Sequence, residues 1–212
     1  YGWSEESFDE PVDVISNTLS VYVADKNNDR VQRFDKDLNF LSLYSGRDNN
    51  SGIEFAYPIA FEISNIGDLF ILESDNNRIL KFNLTGEYLI EIGGNDAGIF
   101  ALSNPKDFAI DRLGNLFVID QSNIKIFDQY GNGQTSIELP FSPKKIALNE
   151  KMLVFPEHNQ IHFLNRKGQR GTTKFNDPEI IGEDLIVDLK FSDKYLFVLL
   201  SDKLLKYKIK LN

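Results

Sequence analysis

The chain has 212 residues, 42% of them hydrophobic, with a formal net charge of −9 and no cysteine. The acidic balance argues against a nucleic-acid-binding surface, which needs clustered positive charge. The missing thiols exclude disulfides and thiolate metal sites, and no run approaches the ~20 apolar residues of a membrane-spanning helix.

In chain order, WSEESFDE (3–10) reads as a linker into a first β-rich unit, about 8–46. This unit opens at Pro11 and carries VYVADKNNDRVQRF (21–34). A second, about 55–94, opens at Pro58 and carries the related LFILESDNNRILKF (69–82), with Gly67 and Gly86 in its turns. The third, about 102–139, shows the plan most clearly. PKDFAID (105–111) is an inner strand, RLGN (112–115) a turn and LFVID (116–120) a second strand. NIKIFD (123–128) is the third strand, QYGNG (129–133) a hairpin turn and QTSIEL (134–139) the outer strand. Degraded copies follow as LVFPEHNQIHF (153–163) in a unit of about 140–175 and FVLLSDKLLKYKI (197–209) in one of about 184–212.

Two markers keep this period. Pro11, Pro58 and Pro105 stand 47 residues apart, with Pro143 and Ile186 following after 38 and 43 more. The aromatic closing the third strand recurs at Phe34, Phe82, Phe127, Phe163 and Tyr207. Five units of four short strands with short turns predict an all-β β-propeller of five blades, one domain over 1–212. The 17 Phe and 8 Tyr supply the packing between blades. Imperfect alternation, as in LFILE and LFVID, fits strands covered on both faces. The last unit stops after its third strand. Either it has three strands, leaving the propeller incomplete or open there, or residues upstream of Tyr1 complete it. Starting at Tyr1 rather than Met points to processing or trimming. Lysines alternate along KYKIKL (206–211), a device that discourages edge-to-edge pairing.

These residues resemble the NHL-repeat propellers. That blade has an opening Pro, a strand, a Gly turn, a strand ending Val-Ala-Asp, an Asn-x-Arg turn and a strand ending Phe-Asp. VYVAD…NDRVQRFD (21–35) and LFILESDNNRILKFN (69–83) fit it well. Pro105 to Asp128 fits without the Arg, and the last two units keep only the apolar skeleton, with Pro156 or Leu200 where the Asp stood. The Trp-Asp dipeptide and kelch double glycine are absent. The resemblance implies a platform with two kinds of use. Some members bind RNA through a basic face, which a pI of about 4.8 argues against here. Some six-bladed relatives are metal-dependent lactonases or lyases.

Charge is unevenly shared. Residues 1–142 hold 10 basic and 23 acidic side chains, net −13, and 143–212 hold 13 and 9, net +4. The basic cluster Lys144, Lys145, Lys151, Arg166, Lys167, Arg170 and Lys174 reads as a solvated face. Asp25, Glu73 and Asp120 read as turn-stabilising acceptors of backbone N–H groups. Arg30 and Arg78 are expected to pair with carboxylates between blades. DKNND (25–29) lacks the Gly and Glu of a calcium loop, having Arg30 and Lys36 at those positions. His158 and His162 fall in a turn and a strand, not on one helix face.

The candidate ligand-binding set is positional. The third residue of each inner strand is Asp13, Ala60, Asp107, Lys145 and Asp188, and inner strands surround the axis. Asp13, Asp107, Lys145 and Asp188 would then meet at the mouth of a central channel and hold a polar ligand, or a divalent cation such as Ca²⁺; no other cofactor is implied. The expected function is a non-catalytic binding or scaffold module recognising a protein or other macromolecular partner through rim loops and faces, with no nucleic acid and no membrane span. The connector RDNNSGIEFAY (47–57) is the loop expected to touch the partner. The alternative is a metal-dependent lactonase or lyase with its carboxylates in the channel. An acidic, cysteine-free array of this kind is expected to be a bacterial exported protein, periplasmic or on the cell surface.

Overall fold

The computed structural model describes residues 2, 4–45, 53–157, 160–165, 170–174, 186–192 and 194–209. The fold is all-β, a five-bladed β-propeller, and its chain divides into two compact units, Tyr1–Glu138 and Leu139–Asn212.

The first unit holds three four-stranded blades, each an antiparallel meander in chain order. Blade 1 is β1 (Pro11–Ser16), β2 (Val21–Asp25), β3 (Arg30–Phe34) and β4 (Phe40–Ser45). Blade 2 is β5 (Pro58–Ile63), β6 (Leu69–Glu73), β7 (Arg78–Phe82) and β8 (Tyr88–Ile92). Blade 3 is β9 (Pro105–Ile110), β10 (Leu116–Asp120), β11 (Asn123–Phe127) and β12 (Gly133–Glu138). Between blades 2 and 3 the connector takes 3₁₀ turns over Asn95–Phe100.

The opening prolines have a structural reason. Each inner strand slips by one residue directly after its Pro, so that Pro11 faces Asp25 while Asp13 faces Ala24. The same bulge separates Pro58 from Ala60 and Pro105 from Asp107. A proline has no N–H to give a ladder, so the first residue of a strand beside a bulge is where it fits.

Packing follows a period of two on both faces. In β6 and β7, Leu69, Ile71, Leu80 and Phe82 pack with Tyr22, Ala24 and Val31 of blade 1. The alternating Phe70, Leu72 and Ile79 pack instead with Phe108, Leu116, Val118 and Phe127 of blade 3. All five residues of LFILE are therefore buried, although neighbours point opposite ways. Burying each such Leu, Ile or Phe contributes about 1.5–3 kcal/mol. Phe82 meets Tyr44, Tyr88 and Phe55 at ring separations of 5.8, 6.1 and 6.3 Å, which explains why an aromatic closes the third strand.

The second unit holds two blades. Blade 4 is β13 (Ala147–Leu148), β14 (Met152–Glu157), β15 (Gln160–Asn165) and β16 (Arg170–Lys174). Blade 5 is a three-stranded sheet, β17 (Asp188–Ser192), β18 (Tyr195–Leu199) and β19 (Leu204–Lys208). Ala147, Val154 and Ile161 pack against Leu189, Leu196 and Val198. The register corrects one marker. Leu153 faces Leu164 as Leu116 faces Phe127, so the buried Leu164, not Phe163, closes the third strand of blade 4.

Candidate functional site

In blades 1–3 three buried carboxylates stand at one end of the strands. Each second strand ends in a carboxylate with almost no solvent contact: Asp25, Glu73 and Asp120. A charge so placed persists only if paired and hydrogen-bonded. Each carboxylate accepts backbone N–H groups from the connector leading into its own blade. Asp25 takes that of Asp9 at 2.7 Å, Glu73 that of Ala56 at 2.9 Å, and Asp120 those of Asn104 and Ser103 at 2.7 and 3.0 Å. They are the amide acceptors that the sequence indicates, with the connector rather than the turn as their main client.

A cation five residues downstream completes each latch. Arg30 Nε lies 2.9 Å from Asp25 Oδ2, Arg78 Nε pairs with Glu73, and Lys125 Nζ lies 2.9 Å from Asp120 Oδ2. The pairs lie within one blade, not between blades as expected, because each cation has a second task on that blade's connector. Arg30 donates to the Ser4 and Ser7 carbonyls, Arg78 to that of Glu54, and Lys125 to that of Ala101. Connector amides thus end on the acid and connector carbonyls on the base.

Blade 3 keeps the latch without the arginine. In blades 1 and 2 the fifth residue after the acid faces it across the hairpin (Asp25 with Arg30, Glu73 with Arg78). In blade 3 the turn is tighter, Asp120 faces Asn123, and Lys125 lies two residues farther along. Burial pushes the Asp120 carboxyl up, but the Lys125 ammonium and the Asn104 and Ser103 amides outweigh it and hold the group below the usual carboxylate range. Blade 4 repeats the spacing with Glu157 and His162, whose Nε2 lies 2.8 Å from Glu157 Oε2. Glu157, not Pro156, therefore occupies the acid position there. The His162 ring also lies 4.2 Å from that of Phe141. His158, Arg166 and Lys167 lie outside the described residues, as do the side chains of Arg170 and Lys174.

Asp13, Ala60 and Asp107 are third in β1, β5 and β9. Asp13 Oδ1 accepts its neighbour's amide, Val14 N, at 2.8 Å, while Oδ2 accepts Phe61 N of blade 2 at 3.0 Å. One carboxylate thereby ties two inner strands. Asp107 is buried at 7% exposure. In the second unit Asp188 opens β17 rather than standing third in it, and its Oδ1 accepts Leu189 N at 2.8 Å. Lys145 precedes β13, a strand of only two residues, so it is not an inner-strand residue. Among the described residues no group of three or more His, Cys, Asp or Glu is arranged to hold a metal ion.

Of the connector 47–57, residues 47–52 lie outside the described residues. The remainder is fastened: Phe55 is buried, Glu54 and Ala56 belong to the Glu73 latch, and Tyr57 N donates to Asp29 Oδ1 at 3.0 Å. No described helix is long and apolar enough to cross a membrane.

No family model matches the chain, and no curated protein matches it in sequence. Solved structures are similar in fold. A streptogramin B lyase is 15% identical with a TM-score of 0.66, over 94% of this chain and 68% of that one. A catalytically inactive virginiamycin B lyase from Staphylococcus aureus, with quinupristin, is 18% identical with a TM-score of 0.63, over 96% and 72%. BBS1N, in complex with ARL6DN, is 16% identical with a TM-score of 0.65, over 96% and 65%. Identities this low show a common β-propeller fold and nothing finer.

Proposed function

We propose that this chain is a non-catalytic, NHL-like binding module that recognises a protein partner. One observation carries the reading. The buried carboxylates that end the second strands, the groups most suited to catalysis by their burial, are taken up by connector amides and by a cation of the same blade. What remains to the solvent is a set of turns on a rigid scaffold, the usual carrier of recognition. The similar propeller BBS1N is itself found with a protein bound. The acidic, cysteine-free composition fits an exported setting, periplasmic or at the cell surface.

The alternative is a metal-dependent lactonase or lyase, which the fold it shares with two lyases keeps in view. It would draw on Asp13 and Asp107 and on a divalent cation such as Ca²⁺. Elemental analysis of the purified protein separates the two. The binding reading expects no stoichiometric metal and a partner complex that survives a chelator. Stoichiometric metal lost in Asp107→Ala would replace it with the enzyme reading.

A further inference from the structure

The end of blades 1–3 opposite the latches has a different chemistry. In an antiparallel meander the turn between the first and second strands and the turn between the third and fourth lie at the same end. Three blades therefore bring six turns there. Each of the six carries one large apolar residue: Leu19, Leu38, Ile66, Leu84, Leu113 and Tyr130. All are between 54% and 78% exposed. Single exposed apolar residues are ordinary, but one on every turn of one end forms a set.

The turns are joined. A Cβ built on Gly67 would stand 3.1 Å from Leu84 Cδ1, so the two tips of blade 2 touch. Asn65 Nδ2 donates to the Arg112 carbonyl at 3.2 Å, which ties the inner tip of blade 2 to that of blade 3. Side chains of the turns brace the backbone beneath the tips. Asp111 accepts the amides of Leu113 and Asn115, and Asp128 those of Tyr130 and Asn132, all at 2.8–2.9 Å. The apolar tips are thus held out on preorganised turns, which lowers the entropy cost of docking.

The charges among the tips are mainly acidic. Asp35, Asp37, Glu87 and Asp128 reach solvent there against the exposed cations Lys36 and Arg112, within a segment of net charge −13. Side-chain hydrogen bonds from Asn39 and Asn132 hold Asp35 and Asp128 below the usual carboxylate range, so both stay ionised. A surface of apolar points set in negative charge complements one in which apolar residues alternate with Lys or Arg.

We infer that the six-turn end of blades 1–3 is a docking face for a basic protein segment whose apolar side chains seat among the tips. This inference rests on the binding reading and narrows it to one face and one partner chemistry. The probe is a peptide of alternating leucine and lysine, titrated by fluorescence anisotropy against the full chain. Serine–lysine and leucine–glutamate peptides serve as comparisons. The leucine–lysine peptide alone should bind tightly. The triple variant Ile66→Ser, Leu113→Ser, Tyr130→Ser should weaken it about a hundredfold. Tyr57→Ser, an exposed apolar residue in the connector before β5, should leave it unchanged. These positions are exposed, and an unaltered urea transition checks that each variant folds. Tight binding that the triple variant does not weaken would overturn the face while leaving the module a binder. Equal binding of the serine–lysine peptide would overturn the apolar role. Self-association abolished by the triple variant would assign the face to a second copy instead. No binding by any peptide would overturn both the face and its partner chemistry.

Discussion

Replacing Asp25 by alanine removes the acceptor at the centre of the first latch, and the consequence follows from what is left behind. Arg30 is only 4% exposed and would keep its charge without the carboxylate 2.9 Å away. The Asp9 amide and the Asn28 side chain would lose an acceptor at 2.7 and 2.8 Å. Breaking a buried ion pair by removing one partner costs about 3–5 kcal/mol. With a urea slope of about 2 kcal/mol/M, the unfolding midpoint should fall by roughly 2 M at an unchanged slope. Lys26→Ala is the internal control. It breaks the Lys26–Glu10 pair, 2.7 Å long, but with side chains 28% and 47% exposed. Solvent screening limits that loss to about 0.2–1 kcal/mol. Replacing both partners, Asp25→Leu with Arg30→Met, should recover part of the stability by removing the stranded charge. Asp25→Ala and Lys26→Ala shifting the midpoint equally would refute the latch as a stabilising device.

Further outcomes can be checked by the same unfolding assay. Leu38 holds φ at 65° in the turn where blades 2 and 3 have Gly86 and Gly131, so Leu38→Gly should stabilise by about 0.5–1 kcal/mol. Gly131→Ala should destabilise by about 1–2 kcal/mol, since φ is 85° and the new Cβ would stand 3.0 Å from Ile92 Cγ1. Phe82→Ala, which empties the site shared by Tyr44, Phe55 and Tyr88, should cost about 3–5 kcal/mol. Asp120 has a folded pKa below its unfolded value. Its contribution is therefore present above the ordinary carboxylate pKa of about 3.9 and is lost as pH falls below it. Lys125→Met raises the folded pKa toward the unfolded one and should shrink that loss in midpoints followed from neutral to acid.

The blades were legible because their signals are local and repeated. Pro11, Pro58 and Pro105 mark a bulge that recurs in three inner strands, and Phe34, Phe82 and Phe127 mark a buried ring site. Where turn length changes, such signals fail. The two-residue turn of blade 3 displaced its cation from the strand position of Arg30 and Arg78, so the latch looked incomplete. The five-residue spacing from acid to base, kept by Asp120 and Lys125 and again by Glu157 and His162, was the signal that would have found it. Non-local bonds left no trace at all: nothing in the sequence links Asp13 to the amide of Phe61, 48 residues away. Lys145 was placed on an inner strand by counting from Pro143. The strand there begins only at Ala147.

Blades 1–3 divide their labour between two ends, one that fastens each connector through charge and one that offers apolar tips. Hydrogen exchange with and without the leucine–lysine peptide tests that division most directly. Exchange should slow in the turns 64–68, 111–115 and 128–132 and stay unchanged at 26–29, 74–77 and 121–122. Protection at the latch turns, with the tips unaffected, would contradict it.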